Sequence, residues 1–213
     1  MRIFKIILFS IIAGSSAQAQ LEEGYFQYDI DVQAIDTAAE IVQQASLLRG
    51  SRMELYFAPG LYRMDYYLGS VSMTSIRVDT FKNEVLSLTK GVMGNYAYKN
   101  TPDAVGFGQQ QMDSLFTVEL FDEERVFLGY TCKKAVLERN GVRATYWYTK
   151  EIEMPKQDIQ MINKDIPGFP LAFTMIDNGI RMHYQVSNYA FEVENKSEVF
   201  STNPPPEYKI FEQ

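Results

Sequence analysis

Cysteine, histidine and tryptophan each occur once among the 213 residues. One cysteine closes no disulfide within the chain, and one cysteine with one histidine falls short of a four-ligand zinc set. Basic residues are also scarce: 20 Lys and Arg stand against 27 Asp and Glu, and the net charge of −7 disfavours nucleic acid as a partner. The HExxH, GxSxG and P-loop patterns are missing. Gly106-Phe107-Gly108 lacks the third glycine of a dinucleotide loop, and a poor strand precedes it. No cofactor and no metal are expected. These absences favour an acidic binding or scaffold protein over an enzyme.

What is present begins at the N-terminus. Arg2 and Lys5 form a short basic region, Ile6 to Ala13 is apolar apart from Ser10, and Ala17-Gln18-Ala19 follows the small-x-small rule. Residues 1–19 read as a secretory signal peptide cut after Ala19 rather than as a membrane anchor, because the apolar run is short and a cleavage site follows it. The mature chain then begins at Gln20, in the periplasm or outside the cell. No cysteine stands at the cut to take a lipid, and no later stretch is apolar enough for an integral membrane segment.

From residue 20 the chain reads as one domain. Hydrophobic residues make up 46% and charged residues 22%, which suits a folded core with no staple. Gly24 to Ile35 alternates as a strand, with Phe26, Tyr28, Ile30 and Val32 on one face and Tyr25, Gln27, Asp29 and Asp31 on the other. Asp36 or Thr37 is placed to cap a helix whose apolar stripe is Ile41, Ala45 and Leu48, with Gly50 stopping it. Short strands follow around Met53–Phe57, Tyr62–Tyr66, 71–79 and 84–89, separated by Pro59-Gly60, Gly69-Ser70 and Lys82-Asn83. Turn signals at this spacing mark an antiparallel sheet.

Residues 100–115 read as a loop with a short helix near Gln109–Leu115. Thr117–Val126 is a strand. Leu128–Glu138 and Val142–Thr149 flank Asn140-Gly141, a strong hairpin signal. Pro167, Gly168 and Pro170 shape a bend. Leu171–Ile176 and 180–193 flank a turn at Asp177-Asn178-Gly179. Within the last strand the apolar positions change from even (Met182, Tyr184, Val186) to odd (Tyr189, Phe191, Val193). A bulge near Ser187-Asn188 restores the facing. Pro204-Pro205-Pro206 sits in an extended tail.

Cys132 and His183 are the one nucleophile–base combination to weigh. Cys132 shares its parity with Leu128 and Tyr130 and reads as a buried structural thiol. His183 shares its parity with Arg181 and Gln185 and reads as a surface side chain. Asp29 and Asp31 read as the wet side of a strand, and Asp122-Glu123-Glu124 as a solvated turn. Tyr and Phe number 14 each and Met 10. Such side chains fill irregular cores, and they also line adaptable apolar pockets.

Three blocks carry a resemblance. Leu128-Gly129-Tyr130-Thr131-Cys132-Lys133-Lys134-Ala135-Val136 is followed by Trp147-Tyr148-Thr149-Lys150-Glu151-Ile152 and then by Ile166-Pro167-Gly168-Phe169-Pro170-Leu171. From Phe127 onwards this order resembles an uncharacterised family of exported bacterial proteins, grouped with the outer-membrane lipoprotein carriers (LolA-like proteins) and related lipid-binding periplasmic proteins. The resemblance implies an α+β, mainly β fold: a curved antiparallel half-barrel sheet with a few helices on its concave side. It carries over no catalytic residue, and Cys132, Trp147 and Pro167 match it as structural positions. Joined to the methionine and aromatic pattern, it implies a lipid or acyl-chain ligand, with Met53, Leu55, Met64, Tyr66, Met73 and Trp147 as the expected binding residues. An envelope protein partner, with no small ligand, is the alternative.

Overall fold

The computed structural model describes residues 19–104, 117–139, 142–153 and 166–212. In chain order the elements are β1 (Ala19–Gln20), β2 (Gly24–Ala34), α1 (Ala39–Leu47), β3 (Ser51–Ala58), β4 (Leu61–Leu68), β5 (Ser72–Asp79), β6 (Glu84–Gly91) and β7 (Gly94–Asn100). Then come β8 (Thr117–Phe127), β9 (Tyr130–Arg139), β10 (Val142–Thr149), β11 (Ile152–Glu153), β12 (Phe169–Asp177), β13 (Ile180–Ala190), α2 (Lys196–Val199) and β14 (Lys209–Glu212). β1 and β11 form a small parallel pair. The other strands make one 12-stranded sheet in the order β14-β7-β6-β5-β4-β3-β2-β13-β12-β10-β9-β8. It is a single large curved sheet, open rather than closed into a barrel.

Alternation sorts the sheet into two faces. On one, Phe26, Tyr28 and Ile30 of β2 lie beside Met53 and Leu55 of β3, whose cross-strand partners are Tyr66 and Met64 of β4. Met64 in turn faces Ile76 of β5. The same face takes in Met182, Tyr184 and Val186 of β13 and Phe173 and Met175 of β12. α1 packs here through Ile41, Ala45 and Leu48, the stripe read from its spacing. Neither Asp36 nor Thr37 caps α1. Ala38 occupies the N-cap, and the Asp36 carboxylate instead accepts the Ala38 N–H at 2.9 Å, a turn two residues upstream.

The bulge in β13 falls where the apolar parity changes, between Val186 and Asn188. One extra residue lets Val186 and Tyr189 both face the side of Phe26 and Tyr28. The 177–179 turn has positive φ at Asn178 and Gly179, the pattern of a tight hairpin. Asn140-Gly141 lies outside the described residues, but β9 and β10 on either side pair as a hairpin. The expected loop and helix at 100–115 fall mostly on residues 105–116, also outside them.

Two local readings need correction, and two strands are not read from the sequence at all. Leu128 does not belong to β9: with Gly129 it makes the β8–β9 turn at positive φ. Asp122-Glu123-Glu124 is not a turn but a bulge within β8, where Lys133 and Lys134 of β9 pair with Asp122 and Glu123. β7 and β14 lie in stretches whose strand pattern is too short or too polar to stand out.

The C-terminal segment crosses the opposite face. Val193 and Phe200 are buried against Ala58, with Tyr56 and Leu61 beside them. Arg63 and Arg77 each donate a guanidinium N–H to a strap carbonyl, Val199 O at 3.1 Å and Ser201 O at 3.0 Å. Tyr208 packs on Leu86, Leu88 and Ala97, and β14 then joins the sheet edge parallel to β7. The helices therefore divide: α1 lies on the face of Phe26, α2 on the strapped one.

A candidate ligand-binding face

Contacts between distant strands decide which face is concave. Tyr66 stands on β4, Tyr184 on β13 and Tyr146 on β10. β4 and β10 are five strand spacings apart, about 24 Å on a flat sheet. Yet burial and then the neighbouring phenols of Tyr184 and Tyr146 push the Tyr66 hydroxyl above the usual tyrosine range. Rings on strands that are not neighbours meet on this side, Phe26 of β2 with Phe169 of β12 at 4.3 Å and Tyr130 of β9 with Tyr189 of β13 at 6.2 Å, so the sheet curls toward the face of Phe26 and Met64, which is concave, and the strapped face is convex.

The concave face has a filled centre and an incompletely covered fringe. Phe26, Tyr28, Leu55 and Phe57 are fully buried. Met64, Tyr66, Ile76, Phe173, Met175 and Met182 pack against that centre but remain half-exposed. Ring contacts run along one side: Tyr146 stacks on Phe173 at 5.3 Å, and Phe173 on Tyr184 at 4.2 Å. Tyr28 sits edge-on to Phe173 at 5.9 Å and donates its hydroxyl to Pro170 O at 2.9 Å. Tyr66 and Tyr146 make no hydrogen bond to another described residue.

Of the six expected binding residues, five share one core cluster: Met53, Leu55, Met64, Tyr66 and Trp147. Met53, Leu55, Met64 and Tyr66 are cross-strand neighbours on the concave face. Met53 and Leu55 are core side chains with almost no surface, so Met64 and Tyr66 hold what remains accessible. Met73 is a correction: it pairs with Tyr67 and so faces the convex side. There it lines a separate groove of ≈ 590 Å³ with Tyr67, Val71, Lys90, Asn95 and Tyr208. Trp147 belongs to the same core cluster but is almost fully buried. It lies 6.2 Å from Phe127 with the Arg125 guanidinium 4.4 Å over its ring. Phe173, Met182, Tyr184 and Tyr146 join the concave face unforeseen. Their alternation is visible along the chain, but β2 and β13 meet only through the strand order.

The groups weighed for chemistry stay apart. Cys132 is fully buried, and burial pushes its thiol up to about 11, with Glu151 adding to the shift. β9 and β13 are three strand spacings apart, about 14 Å even before the offset along the strands. His183 instead bonds the Thr174 hydroxyl at 2.8 Å. Asp29 and Asp31 are exposed and accept from the amides of Gln27 and Gln33.

No family model matches the chain, and no curated protein matches it. Among solved structures it is similar to PNGF-II, with a TM-score of 0.47 and 13% identity over 90% of this chain and 32% of that one. The chain thus spans about a third of the length of PNGF-II. The lipoprotein LppX of Mycobacterium tuberculosis aligns with a TM-score of 0.39 and 7% identity, over 84% of this chain and 91% of that one. The MucA/MucB complex of Pseudomonas aeruginosa gives 0.43 and 11%, over 92% and 61%. At these values the comparisons assign neither ligand nor activity. No helix among the described residues is long and apolar enough to cross a membrane.

Proposed function

We propose that this is an exported, non-catalytic protein that holds a lipid or other apolar ligand against its concave face. The observation that carries the reading is the half-exposed rim of Met64, Tyr66, Ile76, Phe173, Met175 and Met182 around a filled apolar centre. Covering that rim with an acyl chain contributes about 0.8 kcal/mol per methylene before the costs of binding. Methionine thioethers adapt to varied chain shapes. The separation of Cys132 from His183 supports a role without covalent chemistry, and the Ala17-Gln18-Ala19 pattern supports export. Intact-mass measurement of the exported protein tests the cut: a chain beginning at Gln20 supports it, and a retained Met1 rejects it.

Met64→Asp tests the binding reading. A carboxylate on the concave rim costs several kcal/mol to bury unpaired. Titration with a fluorescent fatty acyl probe, accompanied by circular dichroism, should show a folded variant with binding reduced at least tenfold. A folded variant that binds as well as the wild type moves the ligand elsewhere.

A second reading, an envelope interaction module, draws on a different place. Val92 and Met93 of the β6–β7 turn are 89% and 82% exposed, next to the convex groove. Mass spectrometry of the natively purified protein separates the two. Stoichiometric lipid favours the first, and lipid-free protein the second.

A further inference from the structure

The concave face is unusual in its polar content as well as its apolar content. On β2 to β6 and on β13, its positions are aliphatic, aromatic, thioether, glycine or hydroxyl residues, with no charged side chain among them. On β12 the one charge is Asp177, in the terminal pair with Ile180 at the hairpin end of the sheet. The Lys and Arg side chains of these strands fall on the convex positions: Arg52, Arg63, Arg77, Lys90 and Arg181 are each set one residue out of phase with the concave ones.

The hydroxyls are ordered. Tyr66 of β4 is opposite Thr74 of β5, Thr74 opposite Thr89 of β6, and Thr89 opposite Tyr96 of β7. A row of hydroxyls thus crosses four strands on one line, while Met64 and Ile76 form the apolar line beside it. Across the curve stands Tyr146. Its hydroxyl and that of Tyr66 have no hydrogen-bond partner among the described residues, and both side chains are only partly covered. A phenol hydroxyl with no protein acceptor is free to donate to a ligand that covers it.

We propose that the ligand of this face is an uncharged lipid bearing an oxygen acceptor, an ester carbonyl or an alcohol, which accepts from Tyr66 and Tyr146 while its hydrocarbon lies along Met64, Ile76 and Met182. The proposal rests on the apolar-ligand reading and narrows it. A carboxylate or phosphate drawn to the same depth meets no cation on these strands, and Lys133 of β9, which shares the parity of Tyr146, is already paired with Asp122. A phenol, by contrast, donates to a neutral carbonyl at little cost, and two of them on opposite walls fix the position of one polar group within an otherwise apolar ligand.

The test uses three pyrene probes of equal chain length: methyl 1-pyrenedodecanoate, 1-pyrenedodecanoic acid and 1-dodecylpyrene. At pH 8 the wild-type protein should bind the methyl ester at least tenfold more tightly than the ionised acid. Tyr66→Phe and Tyr146→Phe should each weaken ester binding by about threefold to tenfold, the worth of one hydrogen bond, and leave dodecylpyrene unchanged. An acid that binds as tightly as the ester overturns the inference, as do phenylalanine variants with unaltered ester affinity. Either result leaves the apolar face standing as a site. Failure of all three probes to bind saturably overturns the apolar-ligand reading itself.

Discussion

Arg63 and Asp65 are neighbours on the convex side of β4, and the guanidinium donates to both carboxylate oxygens, Nη2 to Oδ2 at 2.6 Å and Nε to Oδ1 at 3.1 Å. Asp65 is 0% exposed. The remaining Nη1 of Arg63 reaches across to the carbonyl of Val199. One side chain therefore neutralises a buried charge and ties down the strap.

Arg63→Met removes the partner and leaves the Asp65 carboxylate buried. The expected loss is about 3–5 kcal/mol, read as a lowered midpoint in urea. The Arg63→Met/Asp65→Leu double variant should recover much of that loss, because no charge then remains to be compensated. A double variant less stable than the single one would refute this account of the pair.

Gly69 links the sheet to α1. Its φ is +54°, and a Cβ there would stand 2.1 Å from the Leu47 carbonyl oxygen. Its N–H donates to the Ser51 hydroxyl at 2.9 Å, and that hydroxyl donates to Leu48 O at 2.6 Å. Gly69→Ala should cost about 2 kcal/mol or more, from the left-handed backbone and the clash together. The β4–β5 turn and the end of α1 should loosen together in amide hydrogen exchange.

Cys132 should be inert in the folded protein. A thiol pushed up to about 11 from 9.0 holds about a hundredth of the usual thiolate at pH 8. Labelling by a disulfide reagent should be at least about 100-fold slower than in denaturant. Fast native labelling would reopen the possibility of thiol chemistry.

Alkaline pH should unfold the protein through its tyrosines. Burial raises the phenols of Tyr28, Tyr66, Tyr146 and Tyr184 above 10.0. The unfolded chain releases these protons near pH 10, while the folded chain retains them. The unfolded state thus binds fewer protons above that pH, and stability falls as pH rises through it. Tyrosinate absorbance should then climb in step with the loss of circular dichroism. Full ionisation near pH 10 with the fold intact would contradict the burial of these groups.

Much of the local architecture was legible in the chain. The stripe of Ile41, Ala45 and Leu48, the turns at Pro59-Gly60 and Asp177-Asn178-Gly179, and the β13 bulge all follow from periodicity and from residues that tolerate positive φ. These are short-range properties, carried by neighbours within a few residues. β7 was hidden because Tyr96 and Tyr98 alternate over too short a run, and β14 because four residues hold no periodic signal.

The candidate site was legible only in part, for a physical reason. Alternation places Met64 and Tyr66 on one face of β4 and Met73 on some face of β5, but parity is relative. Only the pairing of Tyr67 with Met73 shows that the two strands are out of phase there. Likewise the chain makes Tyr146 and Tyr66 separate aromatic residues 80 positions apart. The strand order, with β2 against β13, and the curl of the sheet bring them toward one another. The residues determine which positions are apolar, hydroxyl-bearing or charged. Pairing and curvature, which depend on contacts between distant strands, decide which of them enclose a common space.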